Sequence, residues 1–171
     1  LTKILKLNSS HQLSILHYID LALKKNDFSA IKQWVDHCFS LKDIPSAELI
    51  SRLNTAISQG SIEVDYFEYQ CAKLYYLNNN LDTALSYCEL TRHFCLEKEK
   101  LKLTILIDQK NYSIATKICL DLIEKYPFEK EYYDLLKKAQ TNHIDILIKT
   151  ESDLKKRLIL HINQADFFNA I

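Results

Sequence analysis

An internal repeat is the feature that most constrains how this 171-residue chain can fold. Within residues 66–127 one pattern of apolar, turn-forming and small residues occurs twice, and it aligns Ala84 with Ala115. In the same register Cys88 corresponds to Cys119. Such a period is typical of a helix-turn-helix unit, which buries its apolar face only when further copies stack against it.

Each copy reads as two helices joined by a short turn. In the first copy Phe67, Cys71 and Tyr75 follow one another at a spacing of four, which predicts one buried stripe on a helix. Turn-forming residues fill positions 78–82, and the small Ala84 then allows two helices to approach closely. The predicted helices of the two copies cover residues 63–77, 81–95, 98–108 and 111–125.

The flanking sequence also has helical periodicity. Residues 10–58 predict flanking helices, and residues 128–150 contain a looser third copy of the repeat pattern. Thr141 begins a sequence that resembles a capping box, so we expect one helix to end near it and another to begin. An apolar stripe continues over residues 151–170, and the sequence leaves open whether residues 142–170 form one helix or two.

The composition supports an all-α fold in a single domain over residues 1–171. One glycine and two prolines are too few for the turns of an all-β fold or for glycine-rich phosphate loops.

The 22 basic and 22 acidic residues cancel, which argues against nucleic acid or an anionic membrane as the partner. No apolar run is long enough to span a membrane. Because the chain starts at Leu1 and contains no methionine, we expect it to be a fragment of a longer protein.

The first copy places small, aromatic, hydrophobic, small and bulky residues at Ala72, Tyr75, Leu81, Ala84 and Cys88. The second copy has a corresponding set at Leu103, Leu106, Tyr112, Ala115, Cys119 and Pro127. These positions resemble the signature of tetratricopeptide repeats, whose usual length is about 34 residues. The resemblance implies antiparallel helix-turn-helix repeats stacked as a short right-handed α-solenoid, with clearest repeats over residues 63–96 and 98–127.

The resemblance also implies a binding groove lined by the first helix of each repeat. The residues that would face this groove are Tyr69, Lys73, Tyr76, Lys100, Thr104 and Asp108. Tyrosine suits a binding surface, since it offers a large contact area with a polar tip. We therefore expect a non-enzymatic module that binds a peptide or helix of another protein, and self-association through the C-terminal helix is a second option. Alternatives are a regulatory or sensing domain of a larger bacterial regulator, such as a transcription regulator, and a chaperone for a secreted substrate.

The sequence contains no recognisable catalytic or metal-binding motif. The six histidines form no pair at the spacing of four that a helical metal site uses, and there is no phosphate loop. We therefore predict no catalytic residue, no metal ligand and no cofactor. The five cysteines lack paired spacings, which predicts reduced thiols and a cytoplasmic location. The charged residues 97–100 are predicted to form an exposed helix face.

Overall fold

Every helix or strand assigned in the described part of the chain is an α-helix, which confirms the predicted all-α class. The computed structural model describes residues 12–40, 46–90 and 95–150, together with residues 159, 162 and 163, and for residues 147–150 it describes the backbone alone. These residues contain α1 (Gln12–Lys24), α2 (Phe28–Phe39), α3 (Ser46–Ser58), α4 (Val64–Leu77), α5 (Leu81–Glu89), α6 (Leu96–Asp108), α7 (Tyr112–Lys125) and α8 (Lys130–Thr150).

The chain divides into two compact units, residues 1–98 and 99–171. The first unit contains α1 to α5 and the first turn of α6, and the second contains the rest of α6, α7 and α8. The single domain over residues 1–171 stays a prediction. The predicted helix over residues 151–170 lies outside the described residues, apart from the three helical positions 159, 162 and 163.

The core of the first unit consists of the apolar stripes of its helices. Helix α1 packs on α2 and α3, and α4 packs on α3 and α5. The buried residues of this core include Ile15, Ile19, Ile31, Val35, Leu49, Leu53, Phe67, Cys71 and Leu74. Their spacing of three or four within each helix explains why these segments are helical, since only a helix turns such residues to one side.

In the second unit α7 packs on α8. The apolar positions of the second repeat copy are buried, as the periodicity predicted. They are Leu103, Leu106, Ile107, Ala115, Cys119 and Leu122, and α8 contributes Tyr132, Leu136 and Ala139. The burial of these α6 and α7 residues thus follows the apolar pattern by which the second copy was identified.

Helix α8 is continuous from Lys130 to Thr150, so the predicted break near Thr141 is wrong. The Thr141 hydroxyl donates a hydrogen bond to the Lys137 carbonyl oxygen at 2.8 Å, one turn back in the same helix. A threonine that satisfies its hydroxyl in this way can sit inside a helix and does not need to cap a new one. The local sequence resembles a helix start, but the backbone passes through it unchanged.

Three turns that join consecutive helices share one backbone geometry. The middle residue of each turn has a positive φ, 52° at Asn26, 58° at Asn79 and 64° at Lys110. The amide of the next residue then donates to the carbonyl oxygen five positions earlier, at 2.8–3.0 Å. The turn at residues 25–27 lies before the two copies that the sequence repeat identified. The same turn therefore joins α1 to α2, α4 to α5 and α6 to α7.

Polar side chains connect helices that are two apart in the chain, and the connected residues are 30–33 positions apart. In the first unit the pairs are Asp20–Arg52, Asn54–Tyr87, Lys32–Glu63, Asp36–Tyr66 and Glu68–Lys98. In the second unit they are Lys100–Glu131 and Asp108–Lys138. These separations are close to the period of the sequence repeat.

Candidate partner-binding face

Helix α4 is covered on most of its circumference, because α3 and α5 both pack against it. Its buried residues are Val64, Phe67, Glu68, Gln70, Cys71, Ala72 and Leu74. Tyr69, Lys73 and Tyr76 lie outside this buried set, and each is half-buried. Their spacings of four and three residues place them on one side of the helix. This strip, Tyr69, Lys73 and Tyr76, is called the α4 face below.

Lys73 is held at the centre of the α4 face by an aromatic ring from α2. Its ammonium nitrogen lies 4.3 Å from the centre of the Phe39 ring, in cation–π geometry. No ion pair of Lys73 is found with any described residue, whereas Lys32, Lys98 and Lys100 each pair with a glutamate. The α4 face therefore presents a positioned positive charge between two tyrosines.

The seam between α2 and α4 positions Phe39 beside this face. The Tyr66 hydroxyl donates a hydrogen bond to the Asp36 carboxylate. The Lys32 ammonium lies 4.8 Å from the centre of the Tyr66 ring and 3.4 Å from a Glu63 carboxylate oxygen. Burial, together with the adjacent Asp36 carboxylate, raises the pKa of Tyr66. The phenol therefore stays protonated at neutral pH and keeps its bond to α2.

The three groove residues predicted in the second copy lie on α6 and are engaged within their own unit. The Lys100 ammonium pairs with the Glu131 carboxylate, and its side chain is 15% exposed. The Thr104 hydroxyl donates to the Lys100 carbonyl oxygen at 2.9 Å. The Asp108 carboxylate lies 3.8 Å from the Lys138 ammonium. Lys100 and Asp108 thus form ion pairs with side chains of α8. The groove role of all three residues stays a prediction.

A buried ion pair, which was not predicted from the sequence, joins α4 to the first turn of α6. The Lys98 ammonium donates to a Glu68 carboxylate oxygen at 3.1 Å, and the two side chains are 0% and 6% exposed. The predicted exposed face over residues 97–100 is therefore wrong for Lys98. The available signal was Glu68, which lies beside the apolar stripe of α4 and precedes Lys98 by nearly one repeat period.

The cysteines predicted on the buried stripes are buried and free of disulfide bonds. Burial raises the pKa of the Cys71 thiol to about 12 and that of the Cys119 thiol to about 11. Cys38, on α2, is also buried, and its pKa is raised to about 11 for the same reason. Because the thiolate is the nucleophile, these three groups are unreactive at neutral pH and act as small apolar core residues.

Each unit also contains an open cavity with mixed polar walls. In the first unit a cavity of about 510 Å³ lies between α1 and α3, and its walls include His17, Asp20, Lys24, Arg52 and Thr55. In the second unit a cavity of about 390 Å³ is lined by Ser113, Thr116, Gln140, His143, Ile144 and Asn163. These volumes suit a small molecule. In the cavity of the first unit, the Arg52 guanidinium donates two hydrogen bonds of 2.8 Å to the Asp20 carboxylate.

Over the described residues no group of three or more histidine, cysteine, aspartate or glutamate side chains is placed to hold a metal ion. In the same residues no helix is long and apolar enough to cross a membrane. No protein-family model matches the chain, and searches of the curated proteins and of the solved structures also gave no significant match.

Proposed function

We propose that this chain is a helical-repeat interaction module, built as a tetratricopeptide-like α-solenoid, which binds a peptide or helix of a partner protein on the α4 face. In this proposal the chain has no catalytic role. Binding of the partner, by Tyr69, Lys73 and Tyr76, is its function.

The repeated contact spacing is the observation that carries the proposal. In a solenoid each repeat contacts only the neighbouring repeats, so the residues that meet are separated by one repeat length. The polar pairs at 30–33 residues have this separation, both in the line α1, α3, α5 and in the line α2, α4, α6. The turns at Asn79 and Lys110 support the same interpretation, since they lie one repeat length apart and each joins the two helices of one copy.

The α4 face supports a binding role within that architecture. Solenoids use the exposed strip of a helix layer as an extended binding surface. Tyr69 and Tyr76 provide aromatic area that loses little conformational entropy on binding, because a tyrosine has only two rotatable side-chain bonds. The ring of Phe39 restricts Lys73 before any partner arrives, which lowers the cost of ordering that side chain.

Photo-cross-linking in the source cell tests this proposal. A benzophenone amino acid is placed at Tyr76 in one variant and at Leu120, an exposed residue of α7, in the control variant. We expect the Tyr76 variant to form a cross-link to one specific protein, and the Leu120 variant to form none to that protein. The substitutions Tyr69→Ala and Lys73→Ala, introduced together into the Tyr76 variant, should then remove the cross-link.

Equal cross-linking from both positions would contradict the proposal, since the partner would not be located at the α4 face. An absence of protein cross-links from the Tyr76 variant would contradict it as well. Circular dichroism of each variant checks that helix content is retained, so that a lost cross-link reports a lost contact.

A further inference from the structure

The α4 face contains a positive charge, that of Lys73, which no carboxylate of the described residues neutralises. This charge favours a partner that supplies a carboxylate. Three other lysines of the described residues pair with carboxylates. Lys98 on α6 pairs with Glu68 on α4, and Lys100 on α6 pairs with Glu131 on α8. Lys32 on α2 pairs with Glu63, the residue just before α4. Lys73 lies on the same series of helices, yet its ammonium contacts the Phe39 ring instead. A carboxylate from outside the chain would complete the same kind of pair.

We propose that the α4 face recognises an acidic side chain, glutamate or aspartate, located in the middle of a helical segment of the partner protein, with an apolar residue one turn away on each side. The carboxylate pairs with Lys73, and the two apolar residues pack on Tyr69 and Tyr76. This inference rests on the proposed function, because it uses the same face.

The order of the residues along α4 places the acid inside the segment. Lys73 is four residues after Tyr69 and three residues before Tyr76, so the face is about 10 Å long at 1.5 Å per residue. A tyrosine lies on each side of the charge, and each ring offers apolar area to a partner side chain. A carboxylate at the end of a peptide would place the rest of that peptide beside only one of the two tyrosines. A helix with residues at i, i+3 or i+4, and i+7 matches all three positions.

The surrounding charges favour a protein over a nucleic acid. Asp65 lies one helical turn before Tyr69, on the same side of α4, and Asp36 lies on the adjacent helix α2. A strand of phosphates would approach these carboxylates closely, and each such approach is repulsive. One acidic side chain needs only the single position at Lys73.

A peptide-display selection tests the inference with no partner identified in advance. Random peptides are selected on the native protein and are counter-selected against a Tyr69→Ala/Tyr76→Ala variant. We expect the retained peptides to be enriched in a central acidic residue with apolar residues one turn to each side. Changing that acid to its amide should weaken binding about tenfold, since a close charge pair is commonly worth that factor.

Charge exchange provides the decisive comparison. The Lys73→Glu variant should no longer bind the acidic peptide. It should bind a peptide in which the central acid is replaced by lysine. Lys73→Arg, which keeps the charge and stacks on an aromatic ring, should retain the acidic peptide. Increasing salt should weaken the native complex more than the complex with the amide peptide.

The possible results separate the two proposals. If no retained peptide depends on Tyr69 and Tyr76, the binding role of the α4 face and the inference both fail. If peptides depend on the tyrosines but bind equally with acid and amide, the inference alone fails. Binding of a labelled single-stranded oligonucleotide that is lost in the Lys73→Glu variant would also overturn it, because the ligand would then be a phosphate chain.

Discussion

The two units form ion pairs at the same sequence separation in opposite surroundings. In the first unit Lys98 and Glu68 are 0% and 6% exposed, with their charged atoms 3.1 Å apart. In the second unit Lys138 and Asp108 have the same separation along the chain, but they are 51% and 36% exposed at 3.8 Å. The repeat period determines which residues meet, whereas burial determines how much the fold depends on them.

Breaking the buried pair should have the largest effect of any single change considered for the two units. Lys98→Met leaves the Glu68 carboxylate buried without its counter-ion, so we expect the free energy of unfolding to fall by about 3–5 kcal/mol. Lys138→Met should lower it by less than about 1 kcal/mol, because water screens the exposed pair. Urea unfolding followed by circular dichroism, together with hydrogen exchange of α4 and α8 peptides, measures both changes.

The double variant Glu68→Leu/Lys98→Met is the control for this comparison. With both charges removed, apolar side chains of similar size fill the site, and most of the lost stability should return. If Lys98→Met and Lys138→Met have equal effects, burial is not what distinguishes the two pairs.

The two units also differ in the hydrogen bonding of a tyrosine hydroxyl group. The Tyr87 hydroxyl, in the first unit, donates to the Asn54 side-chain oxygen at 2.8 Å. The Tyr132 hydroxyl, in the second unit, is buried and has no hydrogen-bond partner among the described residues. We expect Tyr87→Phe to lower the free energy of unfolding by about 1–2 kcal/mol, because the Asn54 side-chain oxygen loses its close donor and keeps only the Cys71 thiol at 4.0 Å. Tyr132→Phe should leave it unchanged or raise it by up to about 1 kcal/mol, because an unpaired buried group is removed.

The same unfolding and exchange measurements compare the two phenylalanine variants directly. Each substitution removes one oxygen atom from a tyrosine, so the change in size is matched. A loss of stability in Tyr132→Phe as large as that in Tyr87→Phe would show that the Tyr132 hydroxyl has a partner in solution. The difference between the units would then be confined to the ion pairs.

The sequence was sufficient for the helices because their determinants are local. Apolar spacing of three and four identifies a buried stripe without knowledge of what covers it, and Phe67, Cys71, Ala115 and Cys119 are all buried as predicted. The period of the repeat could be identified because the same local apolar spacing occurs twice along the chain. Thr141 shows the limit of a local signal, since the same residues that resemble a cap are compatible with a helix interior.

The surroundings of the candidate site depend on residues about one repeat away, which a local pattern does not contain. The spacing of Tyr69, Lys73 and Tyr76 was enough to place them on one side of a helix, and α4 carries all three. The spacing did not reveal that Lys73 would contact the Phe39 ring or that Lys100 would form an ion pair with Glu131. Lys73 and Lys100 are the same residue type in sequence, and only the neighbouring helix shows that one contacts an aromatic ring and the other a carboxylate.

The smallest effect that we predict concerns the equivalent turns of the two units. Asn79 and Lys110 occupy the same left-handed position, with φ of 58° and 64°. Asparagine tolerates this conformation, whereas lysine has no side-chain group that compensates for the steric cost of its Cβ atom. We expect Lys110→Gly to raise the free energy of unfolding by about 0.5–1 kcal/mol, and Asn79→Gly to change it by less than about 0.5 kcal/mol. Urea unfolding resolves this difference when the two variants are measured beside Lys110→Asn, which should recover part of the gain. Equal effects of the two glycine substitutions would mean that the left-handed position is no more strained in the α6–α7 turn than in the α4–α5 turn, and the two units would then differ in burial but not in their turns.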